Sequence, residues 1–198
     1  GVSSGQAIAA MERVARDVVR GQYRAGNAAG QAVPGYLDEV KVPNGSHCET
    51  FVAIRAEVEN WRWAGVPFYL RTGKRLAAQD SQIVVNFRPT PHSIFPGVNQ
   101  PNKLVIKLQP EDGLELHLLA AKGSGQSDAL APVFLDLDFD KAFLENRVGA
   151  YERLLLDAIA GKLNLFVRSD EQEQAWRWVE PILNAWTRDS TGPRPYAA

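Results

Sequence analysis

The chain has 198 residues, of which 45% are hydrophobic and 23% are charged, and these values exclude a disordered or fibrous protein. Lys and Arg total 22 against 23 Asp and Glu, so the net charge of -1 provides no broad basic surface for nucleic acid or an anionic membrane. We therefore predict a soluble globular protein with no nucleic-acid or membrane partner, and the length suits a single domain over residues 1–198.

Cysteine content and apolar runs bear on the compartment. Cys48 is the single cysteine, so no internal disulfide can form, and no Cys/His cluster in the sequence indicates a metal site. The amino terminus does not resemble a secretion signal, and no apolar run approaches the length that spans a membrane. We expect a cytoplasmic protein without a bound metal.

The first third of the chain combines a helical pattern with a long irregular stretch. Apolar residues recur at helical spacing on one face of residues 6–19, namely Ile8, Met11, Ala15 and Val18. Gly and Pro then recur through residues 21–46, which predicts a surface loop. Neither Gly26–Gly30 nor Gly123–Gly125 forms the G-x-G-x-x-G motif, placed between a strand and a helix, that binds a dinucleotide.

The middle of the chain has the period-two alternation of half-buried strands. Apolar and polar side chains alternate in residues 51–58, 82–88, 103–109, 114–118 and 135–140. The short apolar run Val66–Leu70 indicates a buried strand, and Gln109–Gly113 has the Pro and Gly of a hairpin connection. We therefore predict an α+β fold with a large, mostly antiparallel open sheet and helices packed on one of its faces.

The last third is predicted to be helical. Apolar residues from Tyr151 to Ile159 form a stripe, and Gly161 stands where a left-handed cap would end that helix. Ser169 and Gln172 predict a capping box at the start of the next helix, in which Pro181 should produce a kink or a break near Glu180.

A basic turn follows the predicted strand Val66–Leu70. Thr72 and Gly73 form a turn that places Lys74 just beyond the carboxyl end of the strand, where an ammonium group can bind an anion. A solvated surface lysine is the alternative reading of one Lys after one Gly.

Longer motifs resemble a known family. Residues 61–76, Trp-Arg-Trp-Ala-Gly-Val-Pro-Phe-Tyr-Leu-Arg-Thr-Gly-Lys-Arg-Leu, are similar to the R-T/S/C-G-K region of glucose-6-phosphate dehydrogenases. Further matches follow in order at residues 19–23, 33–37, 102–106, 150–157 and 166–171. The resemblance covers nearly the whole chain and concerns the carboxyl-terminal half of that enzyme.

The resemblance implies an activity and a substrate site. Members of the family oxidise D-glucose 6-phosphate to 6-phosphoglucono-1,5-lactone with reduction of NADP, in the oxidative pentose phosphate pathway. The substrate-binding residues that it implies here are Lys74, Gln79 and Gln109, and the family usually has a basic residue where this chain has Gln79. Arg75 could supply the missing charge if its backbone turned the side chain inward.

The resemblance implies no catalytic and no cofactor-binding residue in this chain. The family's catalytic histidine motif and its nucleotide-binding glycines match nothing here, so we expect NADP to bind mainly to an amino-terminal domain that is absent from this chain. We find no His oriented by a carboxylate, the pair that abstracts a hydroxyl proton, and we interpret His47, His92 and His117 as structural or solvated.

Association is expected through the sheet, as a homodimer or homotetramer. The predicted polar face carries apolar residues among its charges, namely Phe51, Ala53, Val84, Val105 and Leu119. Its charged residues Arg55, Glu57, Lys107 and Glu115 could pair across a two-fold contact. Three hypotheses remain open: part of a dehydrogenase that is inactive alone, a non-catalytic sugar-phosphate-binding module, and an assembly domain.

Overall fold

The structure is a computed structural model that describes residues 17–28, 30–89, 101–121, 130–142 and 149–198. The chain divides into two compact units, residues 1–77 with 166–198 and residues 78–165. Most of the helix predicted at residues 6–19 lies outside the described residues, and Val18 and Val19, at its end, belong to a strand. That residues 1–198 form a single domain stays a prediction.

Strands predominate among the described elements. In chain order they are β1 (Val18–Arg24), β2 (Gly26–Ala28), β3 (Gln31–Val33), β4 (Phe51–Glu57), β5 (Pro67–Gly73), β6 (Ser81–Asn86), β7 (Lys103–Gln109), β8 (Gly113–Ala121), β9 (Leu130–Asp138) and β10 (Arg194–Ala197). The helices are α1 (Phe139–Ala142), α2 (Ala150–Ile159) and α3 (Ser169–Arg188), and a single 3-10 turn covers Tyr36–Asp38. The predicted α+β class and its mostly antiparallel pairing are confirmed.

The first unit contains a four-stranded sheet in the order β10-β1-β4-β5. Neighbouring strands are antiparallel except β10, which runs parallel to β1. Pro67 is the first residue of β5 and Pro195 lies in the edge strand β10, positions where a missing N–H does not interrupt the sheet. This sheet holds the turn that follows β5.

Arg20 of β1 joins this sheet to the end of α3. Its side chain is 8% exposed, and its guanidinium donates to the carboxylate of Asp189 at 3.2 Å and to the carbonyl of Thr191 at 2.9 Å. The guanidinium also lies over the ring of Trp186, 5.5 Å from the ring centre. A buried cation with three partners is a stable anchor because its charge and its donors are satisfied.

Helix α3 begins differently from the prediction. The residue before its first turn is Arg168, whose backbone N–H donates to the Glu171 carboxylate at 3.0 Å, so the capping box closes one residue earlier than Ser169 and Gln172. The helix also runs through Pro181 without ending near Glu180. The predicted left-handed cap after α2 is confirmed, because Gly161 has a φ of 68°.

The second unit contains an antiparallel sheet in the order β6-β7-β8-β9. Gln109 and Gly113 end β7 and begin β8, which confirms the predicted hairpin connection. Val105 in the interior strand β7 is only 4% exposed, whereas Ile83, Leu135 and Leu137 on the opposite face of the sheet are exposed, with Leu135 at 57%. In the described residues the apolar stripe of α2 is also open, and Ile159 is 84% exposed.

The strand pattern departs from a single large sheet. Among the described residues, hydrogen bonds form two four-stranded sheets, one in each unit, and a two-stranded ribbon of β2 and β3. Part of the predicted loop at 21–46 is therefore strand, because β1 pairs with the distant strands β4 and β10 and because β2 pairs with the nearby β3. The strand at Val66–Leu70 is exposed rather than buried because β5 lies at a sheet edge, and Tyr69 is 73% exposed.

Some residues of the sheet face expected to form the subunit contact are already buried or paired within this chain. Val105 is buried in its own unit, Arg55 pairs with Glu57, and Lys107 pairs with Glu115, so the four charged residues expected to pair across a two-fold contact have partners within this chain.

None of the helices in the described part of the chain is long and apolar enough to cross a membrane.

Candidate functional site

Lys74 lies directly after the last residue of β5, where the sequence pattern placed it. Its side chain is exposed, and within the described residues its ammonium makes no hydrogen bond or ion pair. Gly73 permits this turn, because a Cβ there would lie 2.8 Å from the ring of Phe51 and 3.3 Å from the side chain of Leu76. The ammonium of Lys74 is therefore available to bind an anion, because no carboxylate of the described residues pairs with it.

The backbone of Lys74 is held on both sides. Its N–H donates to the carbonyl of Thr50 at 2.8 Å, and its carbonyl accepts a hydrogen bond from the hydroxyl of Tyr196 at 2.7 Å. Thr50 stands immediately before β4, and Tyr196 lies in β10, so the turn is attached to two other segments of the unit. Tyr196 was not predicted from the sequence, because no local pattern connects residues 122 positions apart.

Arg75, the residue after Lys74, pairs with a carboxylate of the same unit. Its φ of 54° lies in the left-handed region, and its guanidinium is 3.4 Å from the carboxylate of Glu39. The same carboxylate accepts a hydrogen bond from the hydroxyl of Tyr23 at 3.0 Å. Burial, followed by this hydrogen bond with Glu39, raises the pKa of Tyr23. The charge of Arg75 is therefore balanced within the chain, and Lys74 remains the available cation of the turn.

Gln79 and Gln109 belong to the second unit, and both are exposed. Gln109, the last residue of β7, pairs with Ser81, which stands two residues after Gln79. The structure therefore brings both glutamines to the same end of the β6 and β7 pair. Their amide groups can each donate and accept a hydrogen bond, but neither carries charge.

A His and carboxylate pair that the sequence analysis did not find lies in β8. The ring Nε2 of His117 is 3.1 Å from a carboxylate oxygen of Glu115, and the ring also packs against Phe134 at 4.9 Å between centres. Glu115 is shared with Lys107, which is the main cause of the lowered pKa of this carboxyl. We interpret this group as a cross-strand ladder that stabilises the sheet, because its carboxylate is already paired with a lysine.

Gly26 does not belong to a dinucleotide-binding turn, and Gly123–Gly125 lies outside the described residues. Gly26 lies in β2 rather than in a turn between a strand and a helix, and a Cβ there would collide with the backbone of Ala198, so this glycine serves chain packing. No group of three or more His, Cys, Asp or Glu able to hold a metal occurs in the part of the chain that the structure describes.

An open cavity of about 400 Å³ lies elsewhere in the first unit and is lined in part by Glu57, Glu59 and Trp61. Because Glu57 pairs with Pro67 while Phe51 pairs with Gly73, the cavity is at the opposite end of the β4 and β5 pair from Lys74. Its two carboxylates would repel a phosphate.

Comparisons with known proteins agree with the sequence motifs. Residues 5–198 match the family described as glucose-6-phosphate dehydrogenase, C-terminal domain. The glucose-6-phosphate 1-dehydrogenase of Mycolicibacterium smegmatis is 48% identical over 190 residues, which are 94% of this chain and 38% of that protein. The Rhizobium meliloti enzyme of the same name is 50% identical over 183 residues, 91% of this chain and 37% of that protein.

Solved structures give the same result. A glucose-6-phosphate dehydrogenase in complex with its substrate glucose-6-phosphate superposes with a TM-score of 0.81 at 31% identity, covering 94% of this chain and 40% of that one. Glucose-6-phosphate 1-dehydrogenase from Mycobacterium avium has a TM-score of 0.70 at 33% identity and is covered to 38%. The chain spans well under half the length of these relatives, and it belongs to the glucose-6-phosphate dehydrogenase family as a carboxyl-terminal domain.

Proposed function

We propose that this chain supplies part of the sugar-phosphate site of a glucose-6-phosphate dehydrogenase, which oxidises D-glucose 6-phosphate to 6-phosphoglucono-1,5-lactone and reduces NADP. The observation that carries the proposal is Lys74, whose backbone is fixed at both ends while its ammonium is exposed and free of partners in the described residues. Such a cation forms a charge-assisted hydrogen bond with a phosphate dianion.

Gln79 and Gln109 are the other residues that we propose to bind the substrate, as the family resemblance implies. Gln79 donates a neutral hydrogen bond to a phosphate oxygen in place of the charged group that the family usually has, and Gln109 contacts the sugar. Since neither residue carries charge, the electrostatic part of phosphate binding by this chain comes from Lys74.

The hydride transfer itself belongs to the rest of the enzyme. NADP supplies the hydride acceptor when bound, and because the described glycines do not fit a dinucleotide, we propose that an amino-terminal domain holds it. The general base is also proposed to lie outside this chain, because Glu115 of the His117 pair is engaged by Lys107.

Assembly and compartment complete the proposal. We propose a cytoplasmic homodimer or homotetramer, in keeping with the family and with the single cysteine, Cys48. The exposed apolar face that includes Leu135 and Leu137 supports this proposal, because a face of this kind is usually covered by other protein. Here the covering protein is either the rest of the enzyme or a second subunit.

An absorbance assay of NADPH formation tests the proposed division of labour. The 198-residue chain alone should show no turnover with glucose 6-phosphate and NADP, and the complete enzyme that contains it should be active. Turnover by the chain alone would contradict the proposal, and an inactive complete enzyme that still binds glucose 6-phosphate would favour a non-catalytic sugar-phosphate-binding module.

A further inference from the structure

Tyr196 contacts the turn that carries Lys74 through one atom, its hydroxyl oxygen. This oxygen lies 2.7 Å from the carbonyl of Lys74, 3.2 Å from the carbonyl of Thr50 and 3.0 Å from the hydroxyl of Thr50. A phenol has a single proton, and the shortest of these contacts identifies the carbonyl of Lys74 as its acceptor.

The hydroxyl of Thr50 completes the arrangement. Its oxygen accepts a hydrogen bond from the backbone N–H of Tyr23 at 3.0 Å, so its own proton is available to the Tyr196 oxygen. The result is a directed chain from the Tyr23 amide through Thr50 and Tyr196 to the carbonyl of Lys74. Donors and acceptors in such a chain strengthen one another, which fixes the tyrosine proton toward Lys74.

The ring of Tyr196 is itself held in place. It contacts Phe51 with 5.8 Å and Tyr23 with 6.3 Å between ring centres, both in edge-to-face geometry. Gly21 in the adjacent strand leaves the space that the ring occupies, because a Cβ there would lie 3.1 Å from it. The hydroxyl therefore reaches the turn from a supported position in β10 rather than from a freely rotating side chain.

The carbonyl that Tyr196 binds also controls the next residue. The carbonyl of Lys74 and the N–H of Arg75 belong to one planar peptide unit. A hydrogen bond to this carbonyl therefore fixes the orientation of the peptide plane that precedes Arg75, whose backbone is left-handed. A non-glycine residue with a φ of 54° is held there only when its surroundings determine it. Loss of the tyrosine hydroxyl would allow this peptide plane to rotate. The side chain of Lys74 would then no longer have a fixed direction.

We infer that Tyr196 is a positioning residue for substrate binding, whose hydroxyl fixes the backbone of Lys74 so that the ammonium meets the phosphate of the sugar. This inference rests on the proposed function, since it assigns a role to Tyr196 only through Lys74. Prior fixation of the backbone lowers the entropy that a lysine loses when it binds an anion.

The test compares Tyr196→Phe with Tyr69→Phe in the complete enzyme. Tyr196→Phe removes only the hydroxyl and should raise KM for glucose 6-phosphate by about fivefold, with kcat and KM for NADP unchanged. Tyr69→Phe removes an exposed hydroxyl from the same sheet and should leave all three values as in the parent. Equal rises in both KM values, or a lowered kcat with an unchanged KM for the sugar, would overturn the inference in favour of general structural support.

A double-mutant cycle separates this inference from the proposed function. In the Lys74→Ala background, Tyr196→Phe should cause no further rise in KM for glucose 6-phosphate, because the group it positions is gone. If Lys74→Ala raises KM but Tyr196→Phe does not, the inference fails and the proposed function stands. The same holds if Tyr196→Phe still raises KM without Lys74. If Lys74→Ala itself leaves KM unchanged, the proposed role of Lys74 fails, and the role of Tyr196 fails with it.

Discussion

Lys74 and Arg75 are adjacent cations with opposite surroundings. The guanidinium of Arg75 pairs with Glu39, whereas the ammonium of Lys74 has no partner among the described residues. Two basic residues in one turn therefore differ in availability to an anion, and Arg75 also differs in its left-handed backbone. Gln79 is uncharged. A charged residue at this position therefore tests whether an added positive charge strengthens phosphate binding.

Gln79→Lys in the complete enzyme should lower KM for glucose 6-phosphate by about threefold to tenfold, because the neutral hydrogen bond that we propose between Gln79 and the phosphate would become a charge-assisted one. Steady-state kinetics with varied sugar phosphate would measure the change. Gln31→Lys, which adds the same charge at an exposed position of β3, is the control and should leave KM unchanged. An equal effect of both variants would mean that net charge, rather than position 79, governs binding.

Asp189 provides a pH-dependent test of the first unit. Hydrogen bonds from Thr191, followed by the charge of Arg20, lower the pKa of this carboxyl. Its stabilising effect is therefore complete above the ordinary Asp pKa of about 3.9 and is lost as the pH falls through the lower pKa of the folded state.

Asp189→Asn should accordingly lower the thermal unfolding midpoint of the complete enzyme at pH 7, and the difference from the parent should shrink as the pH falls below about 4. Asp80→Asn, at an exposed position in the second unit, should change the midpoint little at either pH. A difference for Asp189→Asn that grows on acidification would contradict the assigned direction of the pKa change.

At the scale of elements, close approach between strands makes β8 sensitive to one glycine. A Cβ at Gly113 would lie 2.5 Å from the carbonyl oxygen of Leu137 in β9, and a backbone oxygen within a ladder cannot move aside as a side chain could. Gly113→Ala should therefore reduce the free energy of unfolding by about 1 to 3 kcal/mol.

Urea unfolding of the complete enzyme, followed by circular dichroism, would measure this loss. Gly192→Ala is the matched control, since its Cβ would meet His47 at an ordinary 3.5 Å, and its effect should stay within about 0.5 kcal/mol. Equal destabilisation by the two substitutions would refute the proposed clash.

Elements were predictable from sequence where their pattern is local. Alternation in β4 and in β6 to β9, the turn before Lys74 and the glycine cap after α2 each depend on neighbouring residues. Strand β1 was not, because Arg20, Gly21 and Gln22 follow its two valines without a clear alternation, and its pairing with β10 joins segments far apart in the chain. The contact of Tyr196 with Lys74 was missed for the same reason, whereas Lys74 itself was found through the motif around it.

At the scale of the whole molecule, much apolar surface is open in the described residues. Leu135 on the second sheet and Ile159 on α2 are examples, and both lie in stretches whose pattern predicts burial. Because the chain spans about 38% of its M. smegmatis relative, we propose that other parts of a larger enzyme, or a second subunit, cover these residues.

Sedimentation velocity of the complete enzyme tests the association proposed for it. The expected result is a dimer or tetramer at micromolar concentration, because an open apolar face of this kind is stabilised by burial. Val105→Glu is unsuitable as a probe, since Val105 is buried in its own unit and a charge there would destabilise the sheet itself. A complete enzyme that remains monomeric at high concentration would contradict the association.

The most direct measurement is the dissociation constant of glucose 6-phosphate, determined by titration calorimetry on the complete enzyme and its Lys74→Ala variant. Loss of a charge-assisted hydrogen bond of about 1.5 to 3 kcal/mol should weaken binding by about tenfold to a hundredfold. Lys162→Ala, at an exposed position after α2, should bind as the parent does. A dissociation constant unchanged in Lys74→Ala would contradict the assignment of this residue to the sugar-phosphate site.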